Sequence, residues 1–146
     1  MLKIIGITGS IGMGKSTIAS MLSFLNIPVF DSDKEVRDIL KNDENVINKI
    51  CLKWPQLALT ENNIRTLNKS LLGDIVFSDK KQKKWLEEII HPIIFNRRKN
   101  FTEKHYNKSF IAFDVPLLFE TETYKLCNFI LIADASDKKQ KNRVLK

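Results

Sequence analysis

Lys3-Ile4-Ile5-Gly6-Ile7-Thr8-Gly9-Ser10-Ile11-Gly12-Met13-Gly14-Lys15-Ser16-Thr17 is the stretch that decides the fold. Its first six residues are mostly β-branched and nearly uninterrupted, which predicts a buried strand ended by a glycine-rich turn. The period then changes. Ile18, Ala19, Met21, Leu22 and Leu25 recur at helical spacing from Lys15 onward, and Asn26 stands where that helix can end. The turn between them, Gly9-Ser10-Ile11-Gly12-Met13-Gly14-Lys15-Ser16, matches G-x-x-x-x-G-K-[ST]. Its position after a strand and before a helix is the one its chemistry requires. Main-chain N–H groups can close on phosphate oxygens there, and the helix N-terminus adds partial positive charge. Lys15 is placed for the β- and γ-phosphates, Ser16 for Mg²⁺, and Thr17 for the α-phosphate. The segment from Gly9 to Thr17 therefore points to a bound nucleoside triphosphate.

Working outward, Pro28-Val29-Phe30-Asp31 is a short strand candidate, so the chain opens with a strand, helix, strand succession and implies a parallel sheet. Strand chemistry returns in Phe110-Ile111-Ala112-Phe113-Asp114-Val115 and in Phe129-Ile130-Leu131-Ile132-Ala133, both expected to be buried. Between them, from about residue 32 to residue 107, the pattern is helical with no convincing strand. Ser32 or Asp33 can cap a first helix bearing Val36, Ile39 and Leu40, and Val46, Ile47 and Ile50 mark a second. The run Thr60, Glu61, Ile64, Leu67, Leu71, Leu72, Ile75 marks a third. Ser78 or Asp79 opens a fourth, which His91-Pro92 should kink or interrupt. The expected fold class is α/β: a P-loop NTPase with a parallel sheet flanked by helices. Its nucleotide-binding core is discontinuous, residues 1–31 and 109–146, with a helical substrate-binding insert over 32–108.

The composition narrows the partners. With 146 residues the chain can bury one core without staples, and Cys51 and Cys127 fit no disulfide framework or zinc pattern. A reducing cytoplasm suits it. The longest uncharged stretch, residues 16–30, is short and broken by Ser20, Ser23, Asn26 and Pro28, so no membrane span is expected, and no secretory signal is evident. An excess of 24 Lys and Arg over 17 Asp and Glu, +7, attracts anions without choosing among them. The basic runs Lys80-Lys81-Gln82-Lys83-Lys84 and Arg97-Arg98-Lys99 lack the interleaved aromatics that stack bases. A solvated helix face is expected, with no nucleic-acid or membrane partner.

Two further carboxylate positions carry potential chemistry. Asp31-Ser32-Asp33 follows the second strand, at the end of the sheet where open α/β folds hold ligands. One carboxylate could accept a proton from an attacking hydroxyl and the other could hold metal-bound water. A pair of helix-capping aspartates would read the same. Asp114 closes the third strand as a Walker-B-like metal partner or as an ordinary strand-end carboxylate.

Taken together, the Ile5–Thr17 run, Asp31-Ser32-Asp33 with Arg37, Ile75-Val76-Phe77, Leu86-Glu87 with Ile90-His91-Pro92, Asp114-Val115-Pro116-Leu117-Leu118-Phe119-Glu120, and Gln140 with Arg143 resemble the dephospho-coenzyme A kinases in content and order. The resemblance covers essentially the whole chain. It implies a nucleoside-monophosphate-kinase-like fold and ATP- and Mg²⁺-dependent phosphorylation of the ribose 3′-hydroxyl of dephospho-coenzyme A, the final step of coenzyme A synthesis. By matching positions it makes Asp31 the catalytic base, aided by Asp33 and Lys15, with Ser16, Asp33 and Asp114 toward the metal. Arg37 contacts substrate or holds the acidic pair, and His91, Leu117, Leu118, Phe119 and Glu120 fall on the acceptor side, although His91 also reads as a helix-kink residue and the apolar trio as core. Family members continue through an arginine-bearing lid, a strand and a helix, so the lid is expected to be cut after residue 146, with Arg143 at its entry. A nucleotide-binding remnant without turnover, or another P-loop kinase of small metabolites, are the alternatives. A monomer is expected.

Overall fold

The computed structural model describes residues 1–10, 12–61, 64–136, 140 and 144. In chain order it forms β1 (Lys3–Thr8), α1 (Lys15–Phe24), β2 (Val29–Asp31), α2 (Ser32–Asn42), α3 (Glu44–Lys53), β3 (Ala58–Glu61), β4 (Ile64–Leu67), α4 (Lys69–Ser78), α5 (Lys80–Lys104), β5 (Phe110–Asp114) and β6 (Phe129–Ile132). It divides into two compact units, Met1–Asp33 with Arg98–Lys146, and Lys34–Arg97. These divisions fall inside α2 and α5. No described helix is long and apolar enough to cross a membrane.

The first unit is built on a parallel four-stranded sheet ordered β2-β5-β1-β6. Ile5, Ile7, Leu22 and Ala112 form a core cluster against which Ile18, Ala19, Ile27 and Val29 pack, so the apolar stripe of α1 covers β1 and β5. Phe30 meets Phe101 and Phe113 edge to face at 5.5 and 6.2 Å. Helix α1 ends in a Schellman closure. Asn26 takes a left-handed φ of 59°, its N–H reaches the Ser23 carbonyl, and the Ile27 N–H reaches that of Leu22, each at 3.0 Å. The asparagine thus ends the helix as its position implied. The exposure of strand β6 departs from expectation. It is the sheet edge, and Phe129, Ile130, Leu131 and Ile132 are all exposed. Apolar β-branched residues identify a strand without saying whether anything covers it.

The second unit centres on Ile39, Val46, Ile47, Ile50, Trp54, Leu57, Leu67, Leu72, Leu86 and Ile90. It is not purely helical. Where one helix was expected from Thr60 to Ile75, β3 and β4 pair antiparallel, with Leu59 opposite Thr66 and Thr60 opposite Arg65. The spacing of Leu67, Leu71 and Ile75 imitated one helix face, but the helix starts later. Asn68 caps α4 by accepting the Leu71 N–H at 3.1 Å, and the threonines before it favour the pleated ribbon. Helix α5 is not interrupted at His91-Pro92, since it runs on through Pro92. A proline there loses one donor, while Leu86 and Ile90 before it and Ile93 and Ile94 after it pack on one core and keep the two halves together. Asp79 opens α5, accepting the Lys81 N–H at 2.7 Å.

The placement of the α4 cap can be tested by sign. Asn68→Ala should lower stability in urea denaturation by about 1 kcal/mol. A helix running from Thr60 would make the same change stabilising by a few tenths, because alanine is the better interior residue.

Candidate phosphate and acceptor site

The turn from β1 into α1 is shaped by two glycines that no other residue replaces. Gly14 caps α1 at φ 100°, in the left-handed region, and offers no side chain to the first-turn amides. A Cβ on Gly9 would lie 2.7 Å from the Ala133 carbonyl oxygen. Within the turn, Met13 N–H bonds the Ser10 carbonyl at 3.1 Å, and Thr17 and Ile18 N–H both reach Gly14 at 3.0 and 3.2 Å. The helix therefore begins with amide dipoles aimed at an open cavity of about 390 Å³, lined by residues that include Gly9, Lys15, Ser16, Thr17, Asp33 and Pro116. A helix N-terminus left without a capping side chain is a ready anion site.

Sheet register brings the carboxylates to the same edge. Asp114 pairs with Ile7 on one side and with Asp31 on the other, so the ends of β1, β5 and β2 align. The chain crosses in one direction after β1 and in the other after β5, which makes their junction the switch point where open α/β sheets hold ligands. Lys15 Nζ lies 2.5 Å from Asp114 Oδ1, with their side chains only 18% and 6% exposed. Burial raises the Asp114 carboxyl above its ordinary value, the Lys15 hydrogen bond and charge pull it back, and Asp31 and Asp33 add to the rise. Desolvation wins over the single cation. The acid at this strand end therefore stands between one ammonium and two further carboxylates.

The remaining expected site residues divide in space. Ser16, Thr17 and Asp33 are exposed and line the cavity, while Asp31 is partly buried at the sheet edge. Leu118 is fully buried, whereas Leu117 and Phe119 are half exposed and Glu120 is exposed. One leucine of the trio thus belongs to the core, and its neighbours face outward. Arg37 and His91 are exposed residues of the helical unit. Ile11 and Arg143 lie outside the described residues. The basic runs behave differently from one another. Lys83 pairs loosely with Glu87, but Arg97 holds Glu35 and Asp38 at 2.7 and 2.6 Å, and Arg98 bonds Thr123 at 3.1 Å, so these two arginines are not simply a solvated face.

Two features escaped the sequence. Thr8, buried at the end of β1, donates its hydroxyl proton to the Pro116 carbonyl at 3.2 Å and so seats the following loop against the turn. A polar residue closing an apolar strand was the available signal. On the other face of the turn a second cavity of about 490 Å³ is lined by Met13, Gly14, Thr17, Ile18, Met21 and residues 133–136. The Ala135 N–H points to Met13 Sδ at 3.2 Å across it.

A glycine-rich anion turn, a strand-end acid on the lysine and a parallel sheet define a P-loop nucleotide-binding protein. The family model described as dephospho-CoA kinase matches residues 3–146. A dephospho-CoA kinase of Mannheimia succiniciproducens is 37% identical over 146 residues, covering 100% of this chain and 67% of that protein. One of Prochlorococcus marinus is 34% identical over 145 residues, covering 97% and 69%. Among solved structures, TT1252 from Thermus thermophilus aligns with a TM-score of 0.77 at 30% identity, over 98% of this chain and 71% of that one. A dephospho-CoA kinase from Campylobacter jejuni shares the fold, with a TM-score of 0.65 at 20% identity over 99% and 94%. The chain belongs to the dephospho-CoA kinase family.

The Asp114 environment gives a titration to look for. Its ¹³C carboxyl resonance should move at a pH above the ordinary carboxylate range, and higher still in Lys15→Met, where the cation opposing the rise is gone. Because the folded pKa is raised, ionised Asp114 subtracts stability as pH climbs from the unfolded value through the folded one. Asp114→Asn should therefore flatten the fall in melting temperature over that interval. Titration of Asp114 in the ordinary range in both proteins would contradict this.

Proposed function

We propose how this chain's residues divide the work of the family's reaction, phosphorylation of the ribose 3′-hydroxyl of dephospho-coenzyme A by ATP, the last step of coenzyme A synthesis. The observation that carries the reading is the Lys15–Asp114 pair at 2.5 Å, beside a cavity that also receives Ser16, Thr17 and Asp33. The β- and γ-phosphates of ATP occupy the turn from Gly9 to Thr17, where the α1 amides and Lys15 offset their charge. Ile11 belongs to that turn by its place in the motif. The nucleoside end has room on the opposite face of the turn, along Met13, Ile18, Met21 and Ala133. Arg143 is assigned to ATP by motif position alone.

Ser16, Asp33 and Asp114 are oxygen donors of the kind Mg²⁺ takes, and two carboxylates with a hydroxyl suit an ion that keeps phosphate and water ligands. Among the described residues no three His, Cys, Asp or Glu side chains form a metal cluster of their own, which agrees with an ion held jointly with substrate. Bound there, Mg²⁺ would neutralise charge on the transferring phosphoryl group.

Asp31 is the base. It ends β2 in register with Asp114, and its carboxylate accepts the proton of the 3′-hydroxyl as that oxygen attacks the γ-phosphorus and the bond from the γ-phosphorus to the β,γ-bridging oxygen breaks, releasing ADP. Asp33 holds the hydroxyl or a metal-bound water, and Lys15 follows the developing charge. Leu117, Phe119 and Glu120 contact the acceptor, and the buried Leu118 fixes the loop that carries them. Arg37 and His91 join the acceptor side on the match of their motifs alone. We read the working form as a cytoplasmic monomer acting on small molecules, ATP and dephospho-coenzyme A.

Asp31→Asn should keep the wild-type affinity for ATP and reduce turnover of dephospho-coenzyme A by about 10²-fold or more. Calorimetry for ATP and a steady-state assay for product separate the two effects. Normal turnover in that variant would remove Asp31 from the role.

A further inference from the structure

Arg98, in the second basic run, is a cation that the proposed mechanism does not use. Arg98 sits in the first unit on α5, half buried, with its guanidinium carbon 5.6 Å from the centre of the Phe113 ring, one residue before Asp114. Its Nη1 donates to Thr123 Oγ1 at 3.1 Å, and Thr123 is 4% exposed. From there a second bond of 2.9 Å joins Thr123 Oγ1 to Thr121 Oγ1, and Thr121 Oγ1 donates to the Leu117 carbonyl at 2.7 Å. The direction of this chain follows from proton counting. A hydroxyl has one proton to give. Thr121 gives its proton to Leu117, so Thr123 must be the donor between the two threonines, and Thr123 can accept only from Arg98. The polarity runs one way, from a fixed cation to a backbone carbonyl, and each bond strengthens the next.

The carbonyl at its end belongs to the loop between β5 and β6. That loop also bonds across itself, Thr121 N–H to Leu117 at 3.0 Å and Tyr124 N–H to Leu118 at 3.3 Å, and Glu122 within it takes a left-handed φ of 53°. Leu118 plugs it into the core while Leu117 and Phe119 stay half exposed.

We infer that Arg98 is a positioning residue for the acceptor. Through Thr123 and Thr121 it locks the conformation that presents Leu117 and Phe119, and so sets affinity for the phosphoryl acceptor without touching it. The inference rests on the acceptor-side reading of residues 117–120 given above. Loss of the polar chain frees the segment from Leu117 to Thr121, while Leu118 stays buried and Thr8 still holds Pro116 beside the phosphate turn, so ATP affinity is preserved.

The test compares Thr123→Val, which keeps the shape and removes the hydroxyl, with Arg98→Met, Arg98→Lys and the Arg98→Met/Thr123→Val pair. Dissociation constants for dephospho-coenzyme A and for ATP are measured separately by calorimetry, with Phe119→Ala as the reference for the loop. Thr123→Val and Arg98→Met should each weaken dephospho-coenzyme A by about tenfold, the loss of one charge-assisted bond. ATP affinity should stay unchanged, the pair should be no weaker than either single variant, and Arg98→Lys should recover part of the loss. If Phe119→Ala weakens the acceptor and Thr123→Val does not, the positioning role is overturned. If neither variant affects the acceptor, the acceptor-side reading of the loop falls with it. An equal loss of ATP and acceptor affinity in Thr123→Val would also overturn the inference, since that is the mark of general damage.

Discussion

Lys15 and Asp114 lie 99 residues apart in sequence and 2.5 Å apart in space, and the organisation of the nucleotide-binding unit follows from that contact. A carboxylate this buried is costly to ionise without a cation. The cation must come from the turn after β1, and so β5 must be the neighbour of β1. In the sheet β2 lies on the far side of β5 and β6 on the free side of β1, and the ends of β1, β5 and β2 meet at one edge. On the proposed reading, a triphosphate entering the turn competes for the same ammonium. Asp114 then needs another positive partner, and the metal that accompanies ATP is one.

The two loops that follow β1 and β5 are joined by short-range chemistry as well as by the sheet. Thr8 holds Pro116 at the mouth of the phosphate turn, and the Arg98 chain holds Leu117 from behind. On the proposed reading, the phosphate turn and the acceptor-side loop after β5 are thereby held by different side chains. Such separation lets affinity for one substrate change with little effect on the other, because the groups involved share no side chain.

Where the sequence spoke locally, it spoke clearly. Strand β1, the phosphate turn and α1 each carry their own signal in consecutive residues, and Asn26 ends the helix with the left-handed geometry its side chain tolerates. The β3–β4 ribbon was hidden because Leu67, Leu71 and Ile75 fall at helical intervals across a boundary that only the Asn68 cap reveals. Pro92 does not interrupt α5, for the opposite reason. Its local penalty is real, but packing on both sides outweighs it, and tertiary contacts are not written in a dipeptide. The same holds for Arg97 and Arg98, which read as surface charge until their partners at Glu35, Asp38 and Thr123 are known. Among site residues, the types and spacing of Asp31, Asp33 and Asp114 were legible, whereas the ion pair that sets the titration of Asp114 depends on strand order.

The most direct measurement is a crystal structure with a nonhydrolysable ATP analogue, Mg²⁺ and dephospho-coenzyme A. The account requires the β- and γ-phosphates on the amides between Gly9 and Thr17, Lys15 Nζ drawn from Asp114 to phosphate oxygen, and the ribose 3′-hydroxyl within hydrogen-bond reach of Asp31. A triphosphate bound elsewhere, with Lys15 still on Asp114 and Asp31 facing away from the acceptor, would contradict it.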